Sequence, residues 1–181
     1  MSIDRGIDRS VWAGRIDAVE RGSPQAARRW HQCIEEWRPG APSGVAVLGF
    51  ACDAGVVRNE GRAGASAGPT ALRRVLANLA WHGSAGLRCY DAGDVRCDDG
   101  DLEAAQARLG ERVAELLQEG QWPLLFGGGH EIAWGSFQGL LKWRRRFNPS
   151  ARLGVVNFDA HFDLRPLPPD GRGTSGTPFR Q

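Results

Sequence analysis

Short, nearly continuous apolar runs that stop in glycine or acid recur along this chain, separated by stretches with helical spacing, and few architectures accept that alternation. Gly44-Val45-Ala46-Val47-Leu48-Gly49-Phe50, the run 122–126 and Leu153-Gly154-Val155-Val156 with Asn157-Phe158 read as strands, and residues 87–95 hold another. Strands apolar at almost every position are covered on both faces, the mark of a parallel sheet. Between them, Gly68-Pro69 opens a helix whose Leu72, Val75, Leu76 and Leu79 stand at i, i+3, i+4 and i+7, a spacing that predicts one buried stripe. Leu102, Ala105, Leu109, Val113, Leu116 and Leu117 keep the same period, and Asp98, Asp99, Asp101 and Glu103 before and within that segment suit the positive end of its dipole. Ile132, Phe137, Leu140 and Leu141 mark a last helix, ending in Lys142-Trp143-Arg144-Arg145-Arg146. Ser23-Pro24 reads as a capped start of a helix running to about Trp37, where Pro39-Gly40 stops it. The fold class expected is α/β: a three-layer α/β/α sandwich with a mostly parallel sheet, in one domain over residues 1–181.

Composition removes several classes of function. A formal charge of +2 does not suit a protein that holds nucleic acid or an anionic membrane by bulk electrostatics, and the basic run at 142–146 needs no partner at a helix C-terminus. No run reaches the length of a membrane span, and Met1 to Asp17 has no secretory core. Cys33, Cys52, Cys89 and Cys97 show neither CxxC spacing nor a histidine cluster, so reduced thiols and a cytoplasmic location are expected. The glycine-rich stretch 59–68 lacks both phosphate-binding fingerprints. His31 and His82 read as packing or surface residues.

Two strand ends carry the chemistry. Asp159, His161 and Asp163 alternate, so in an extended chain they share one face while Phe158, Ala160 and Phe162 take the other. Pro123-Leu124-Leu125-Phe126-Gly127-Gly128-Gly129-His130-Glu131 repeats the pattern: apolar run, glycine hinge, ligand-type residue at the start of a helix. Parallel sheets place their sites along the edge where such ends emerge. His130-Glu131 is not a zincin motif, because Trp134 stands where the second histidine would be. Two imidazoles and two carboxylates form a mixed set open to manganese, iron or zinc, with the carboxylates leaning toward manganese. Such a site lowers the pKa of water and supports hydrolysis.

Gly127-Gly128-Gly129-His130-Glu131 and Asp159-Ala160-His161-Phe162-Asp163 resemble the first two metal motifs of the ureohydrolases, the binuclear manganese group of arginase, agmatinase and formimidoylglutamase. Gly68-Pro69 with Leu72-Arg73 resembles the family's early segment. Gly129 and Glu131, where arginases and agmatinases usually have Asp and Ser, resemble the formimidoylglutamase variant, as do Trp12-Ala13-Gly14-Arg15-Ile16-Asp17, Arg29-Trp30-His31-Gln32 and the stretch from Thr174 to Gln181. The resemblance implies an arginase-like fold and two Mn2+ ions, His130 on one with Asp163, His161 on the other and Asp159 bridging. It implies hydrolysis of a small amidine by a metal-bridging hydroxide, with N-formimidoyl-L-glutamate as substrate and glutamate and formamide as products, in histidine breakdown. Arg165, two residues past Asp163, matches a substrate position; Arg165 and Arg180 suit the substrate's two carboxylates, and Ser175 and Thr177 match further positions of the substrate loop. The family's proton-shuttle position falls near Pro178-Phe179 and is left unassigned.

The family's third motif, Ser-x-Asp-x-Asp, does not occur, so the chain reads as an arginase-like domain truncated before its last strands. Residues 1–181 alone are then expected to be inactive, to bind at most one manganese and that weakly, and to expose a sheet edge prone to aggregation. Glu131 is the next carboxylate to consider as a ligand. A guanidino hydrolase of agmatinase, arginase or guanidinobutyrase type and an inactive metal-binding fragment are the other readings. The family's habit of assembling implies a homo-oligomer for the full-length enzyme, with no nucleic-acid or membrane partner.

Overall fold

The computed structural model describes residues 7–17 and 28–181. Among them, strands β1 (Ile34–Glu36), β2 (Val45–Ala51), β3 (Cys89–Arg96) and β4 (Trp122–Gly127) form one sheet in the order β1-β3-β2-β4, every pairing parallel. The helices are α1 (Ala54–Arg58), α2 (Gly68–Ala77), α3 (Leu102–Gln118) and α4 (Ile132–Phe147). No helix among the described residues is long and apolar enough to cross a membrane.

The three layers follow from β2. Its Ala46, Leu48 and Phe50 pack into a core with Leu102, Leu109 and Leu116 of α3, while Val47, one residue out of phase, joins Ala77 of α2, Val11 and Trp12 on the other side. α3 forms where its period places it, and Asp101 caps it by accepting a hydrogen bond from Ala104 N at 3.0 Å. Asp101→Ala is expected to cost about 1 kcal/mol, read as a lower urea midpoint. Glu103 bonds Arg58 across 2.6 Å, which holds its carboxyl below the usual carboxylate range. α3 and α4 run close because a Cβ on Gly139 would meet Gly110 O at 2.5 Å.

Three expectations need correction. The α2 stripe faces the wrong way: Leu72, Val75 and Leu79 are 46%, 65% and 52% exposed, and the buried positions are Pro69, Arg73 and Ala77. The reason is Arg73, which buries itself by pairing with Asp91 and Asp94 of β3 and so turns the helix toward its own side. The helix expected to reach Trp37 is instead a 3-10 turn, Trp30–Gln32, followed by β1; its expected start at 23–27 lies outside the described residues. Residues 153–158 form no strand. Val155, Val156 and Phe158 stand 58%, 80% and 97% exposed, and β4, the sheet edge, exposes Trp122 at 76%. An apolar run becomes a strand only when its N–H and C=O groups find a ladder.

Candidate metal centre

The site is built at the end of β4. Gly128 N donates to Phe50 O at 2.9 Å and Gly129 N to Cys52 O at 3.1 Å, so the glycine turn stays laced to the end of β2. A Cβ on Gly128 would lie 1.9 Å from the Cys52 carbonyl oxygen, which only glycine avoids. The turn delivers His130, and the next residue, Glu131, stands at the N-cap position of α4 without a side-chain capping bond.

One donor atom each from His130, Asp159 and Asp163 lie within 4.8 Å of one another, the three-residue cluster found among the described residues. His130 Nδ1 is in hydrogen-bond contact with Asp163 Oδ2 and lies 3.3 Å from Asp159 Oδ2. The backbone amide of His161 donates to Asp159 Oδ1 at 3.0 Å and holds that carboxyl below the usual carboxylate range. Phe179 meets the His130 ring edge-on, centroids 5.6 Å apart, and its amide donates to Asp163 O at 3.3 Å. The donor chemistry, one imidazole and two carboxylates, fits a divalent ion of the manganese type.

The alternation of Asp159, His161 and Asp163 on one face does not occur. The backbone bends through 159–161, and Asp163 takes a positive φ of 48°, a left-handed conformation that non-glycine residues adopt sparingly. The imidazole of His161 is left 74% exposed with Nδ1 3.7 Å from Asp159 Oδ1, outside the cluster. Glu131 is also outside it. That side chain is fully buried, Oε1 accepting from Gly55 N at 2.9 Å and Oε2 without a hydrogen-bond partner, and burial pushes its carboxyl above the usual range.

The proposed substrate residues divide. Arg165 is exposed; its amide donates to Gly176 O at 3.1 Å and its Nη1 to Asn59 Oδ1 at 3.2 Å. Ser175 is half-buried and donates its amide to Gly55 O at 3.0 Å. Arg180 is exposed near the chain's last turn. Thr177 is buried, and its hydroxyl is taken up within its own loop, accepting from Thr174 N at 2.8 Å and donating to Thr174 O at 3.2 Å. A cavity of about 680 Å³ beside His130 is lined by apolar residues such as Trp134, Phe137, Leu140 and Val155, and none of the four substrate residues borders it. The roles of Phe179, Asn59 and Gly55 escaped the sequence reading, because each acts across long sequence separations and none carries a local pattern.

Residues 43–181 match the model of the arginase family. A formimidoylglutamase of Chromobacterium violaceum is 53% identical over 97% of this chain and 53% of its own length, and one of Aeromonas hydrophila is 52% identical over 97% and 53%. The solved structure of Trypanosoma cruzi formiminoglutamase with Mn2+ superposes with a TM-score of 0.67 at 38% identity, covering 77% of this chain and 47% of that one. The chain therefore spans about half the length of the curated relatives it matches. With a parallel sheet, a glycine turn delivering His130 and this degree of identity, the chain belongs to the arginase family.

Proposed function

We propose that the protein hydrolyses the amidine C–N bond of N-formimidoyl-L-glutamate, adding water to give L-glutamate and formamide. The observation that carries this reading is the 53% identity, over 97% of the chain, to a relative named formimidoylglutamase. His130, Asp159 and Asp163 would hold one manganese, and Asp159 with His161 would contribute to a second. When bound, the ions supply the Lewis acidity that makes water nucleophilic at neutral pH. The chain's own residues orient the ligands: Phe179 packs edge-on against the His130 ring, and the His161 amide keeps Asp159 ionised.

In this reading Arg165 binds a substrate carboxylate, since a planar guanidinium meets a carboxylate through paired hydrogen bonds. Arg180 takes the other carboxylate, Ser175 contributes its hydroxyl, and Thr177 shapes the loop. The same reading places the protein in histidine breakdown in the cytoplasm, as a homo-oligomer. The test compares formamide release from formimidoylglutamate with urea release from agmatine and arginine, using the manganese-loaded protein as the cell makes it. Arg165→Ala is expected to raise KM for formimidoylglutamate by about 10- to 100-fold. Faster urea release by the parent protein, or an unchanged KM in the variant, would count against the assignment.

A further inference from the structure

We propose that Glu131 is a positioning residue: by holding α1 against the start of α4, it sets the loop 165–176 relative to the metal ligand His130. The inference rests on the reading that this loop meets the substrate.

The chain of contacts is short and directional. Gly55 N donates to Glu131 Oε1, and the Gly55 carbonyl accepts from Ser175 N at 3.0 Å. Three residues on, Arg58 Nη1 donates to Gly173 O at 3.1 Å; one further, Asn59 Oδ1 accepts from Arg165 Nη1 at 3.2 Å. The loop thus leans on α1 at two points, at its Ser175 and its Gly173, and on the C-cap residue Asn59 at its Arg165. α1 in turn leans on Glu131 with no room to spare, since a Cβ on Gly55 would come within 2.6 Å of the Glu131 carboxyl carbon. Glu131 is itself fixed from the far side, where Gln106 of α3 donates to its carbonyl at 2.8 Å. Because His130 precedes it directly, any motion of Glu131 is shared between the metal ligand and the loop.

A residue needed only to fill this space would be apolar. A fully buried carboxyl with one oxygen lacking a partner is costly, and what it supplies that leucine or methionine does not is an acceptor for Gly55 N. That bond couples the two halves of the site.

The test is limited trypsin digestion of the full chain with added Mn2+. It compares cleavage after Arg172, beside the Gly173 tether, with cleavage after Arg88, exposed before β3 at the opposite ends of the strands. Glu131→Met keeps the volume and removes the acceptor. It is expected to speed cleavage at Arg172 about tenfold relative to Arg88, while Glu131→Gln, which keeps an acceptor oxygen, stays within about twofold of the parent. Gly55→Ala, which drives a methyl group into the carboxyl, is expected to give the same selective rise and serves if Glu131→Met does not fold. Equal acceleration at both arginines, or none at Arg172, overturns the proposal. L-Glutamate should slow cleavage at Arg172 in the parent. No slowing, with Glu131→Met still selectively loosened, overturns the substrate reading and leaves the brace.

Discussion

Asp163→Asn is expected to lower the affinity of the 181-residue chain for manganese by about 100-fold. Asparagine suits the test because it tolerates the left-handed backbone at this position, where φ is 48°, and keeps the shape of the side chain. What it removes is charge. Asp159 and Asp163 together bring about two negative charges, enough to balance one divalent ion and not two. The parent chain should therefore bind one manganese per molecule and weakly, with water completing the coordination. His161→Ala should change that affinity by less than about threefold, because its imidazole stands outside the cluster and is 74% exposed. Calorimetric titration in metal-free buffer reads all three values. Two tightly bound ions per chain, or a large loss with His161→Ala, would show that residues 159–163 adopt another arrangement once metal is present.

How much of this was legible beforehand depends on whether the deciding forces are local. β2 and α3 were readable because a single rule governs each: apolar on both faces for Val45–Ala51, one stripe at helical period for Leu102–Gln118. The α2 stripe misled because periodicity assumes that apolar residues face inward, and here an arginine does. Nothing near Arg73 in sequence announces Asp91 and Asp94, which lie 18 and 21 positions away. In the site, residue type names His130, Asp159, His161 and Asp163 as ligand candidates, but the alternation that would align three of them requires a strand. Residues 153–158 have no ladder partner, so the chain bends at 159–161, and Asp159 and Asp163 approach His130 while His161 turns to solvent. Glu131 was legible as a carboxylate next to a ligand, and only its contact with Gly55 shows that it faces the core.

The largest stability effect is expected from Arg73→Met, a loss of about 3–5 kcal/mol that has nothing to do with the metal site. Arg73 is 3% exposed and Asp91 3% exposed, with Nε 2.8 Å from Asp91 Oδ2, Nη2 2.9 Å from Asp91 Oδ1 and Nη1 2.6 Å from Asp94 Oδ1. Nη2 also donates to Gly93 O at 2.9 Å, on the segment where the β2–β3 register shifts. Methionine fills much of the space and leaves Asp91 charged and buried, with Trp12 Nε1 at 2.6 Å and Gly93 N at 2.9 Å as its remaining donors. Neutral donors offset only part of the desolvation of a carboxylate. Asp94, 21% exposed at its side chain, can turn to water and contributes less. Arg73→Met/Asp91→Asn removes both buried charges and keeps an acceptor for Trp12, so it should regain about half of the loss. Urea unfolding followed by tryptophan fluorescence measures both variants. A loss below about 1 kcal/mol for the single variant would mean that water reaches Asp91 once the guanidinium is gone, and that α2 is held to β3 by the packing of Pro69 and Ala77 rather than by its ion pairs.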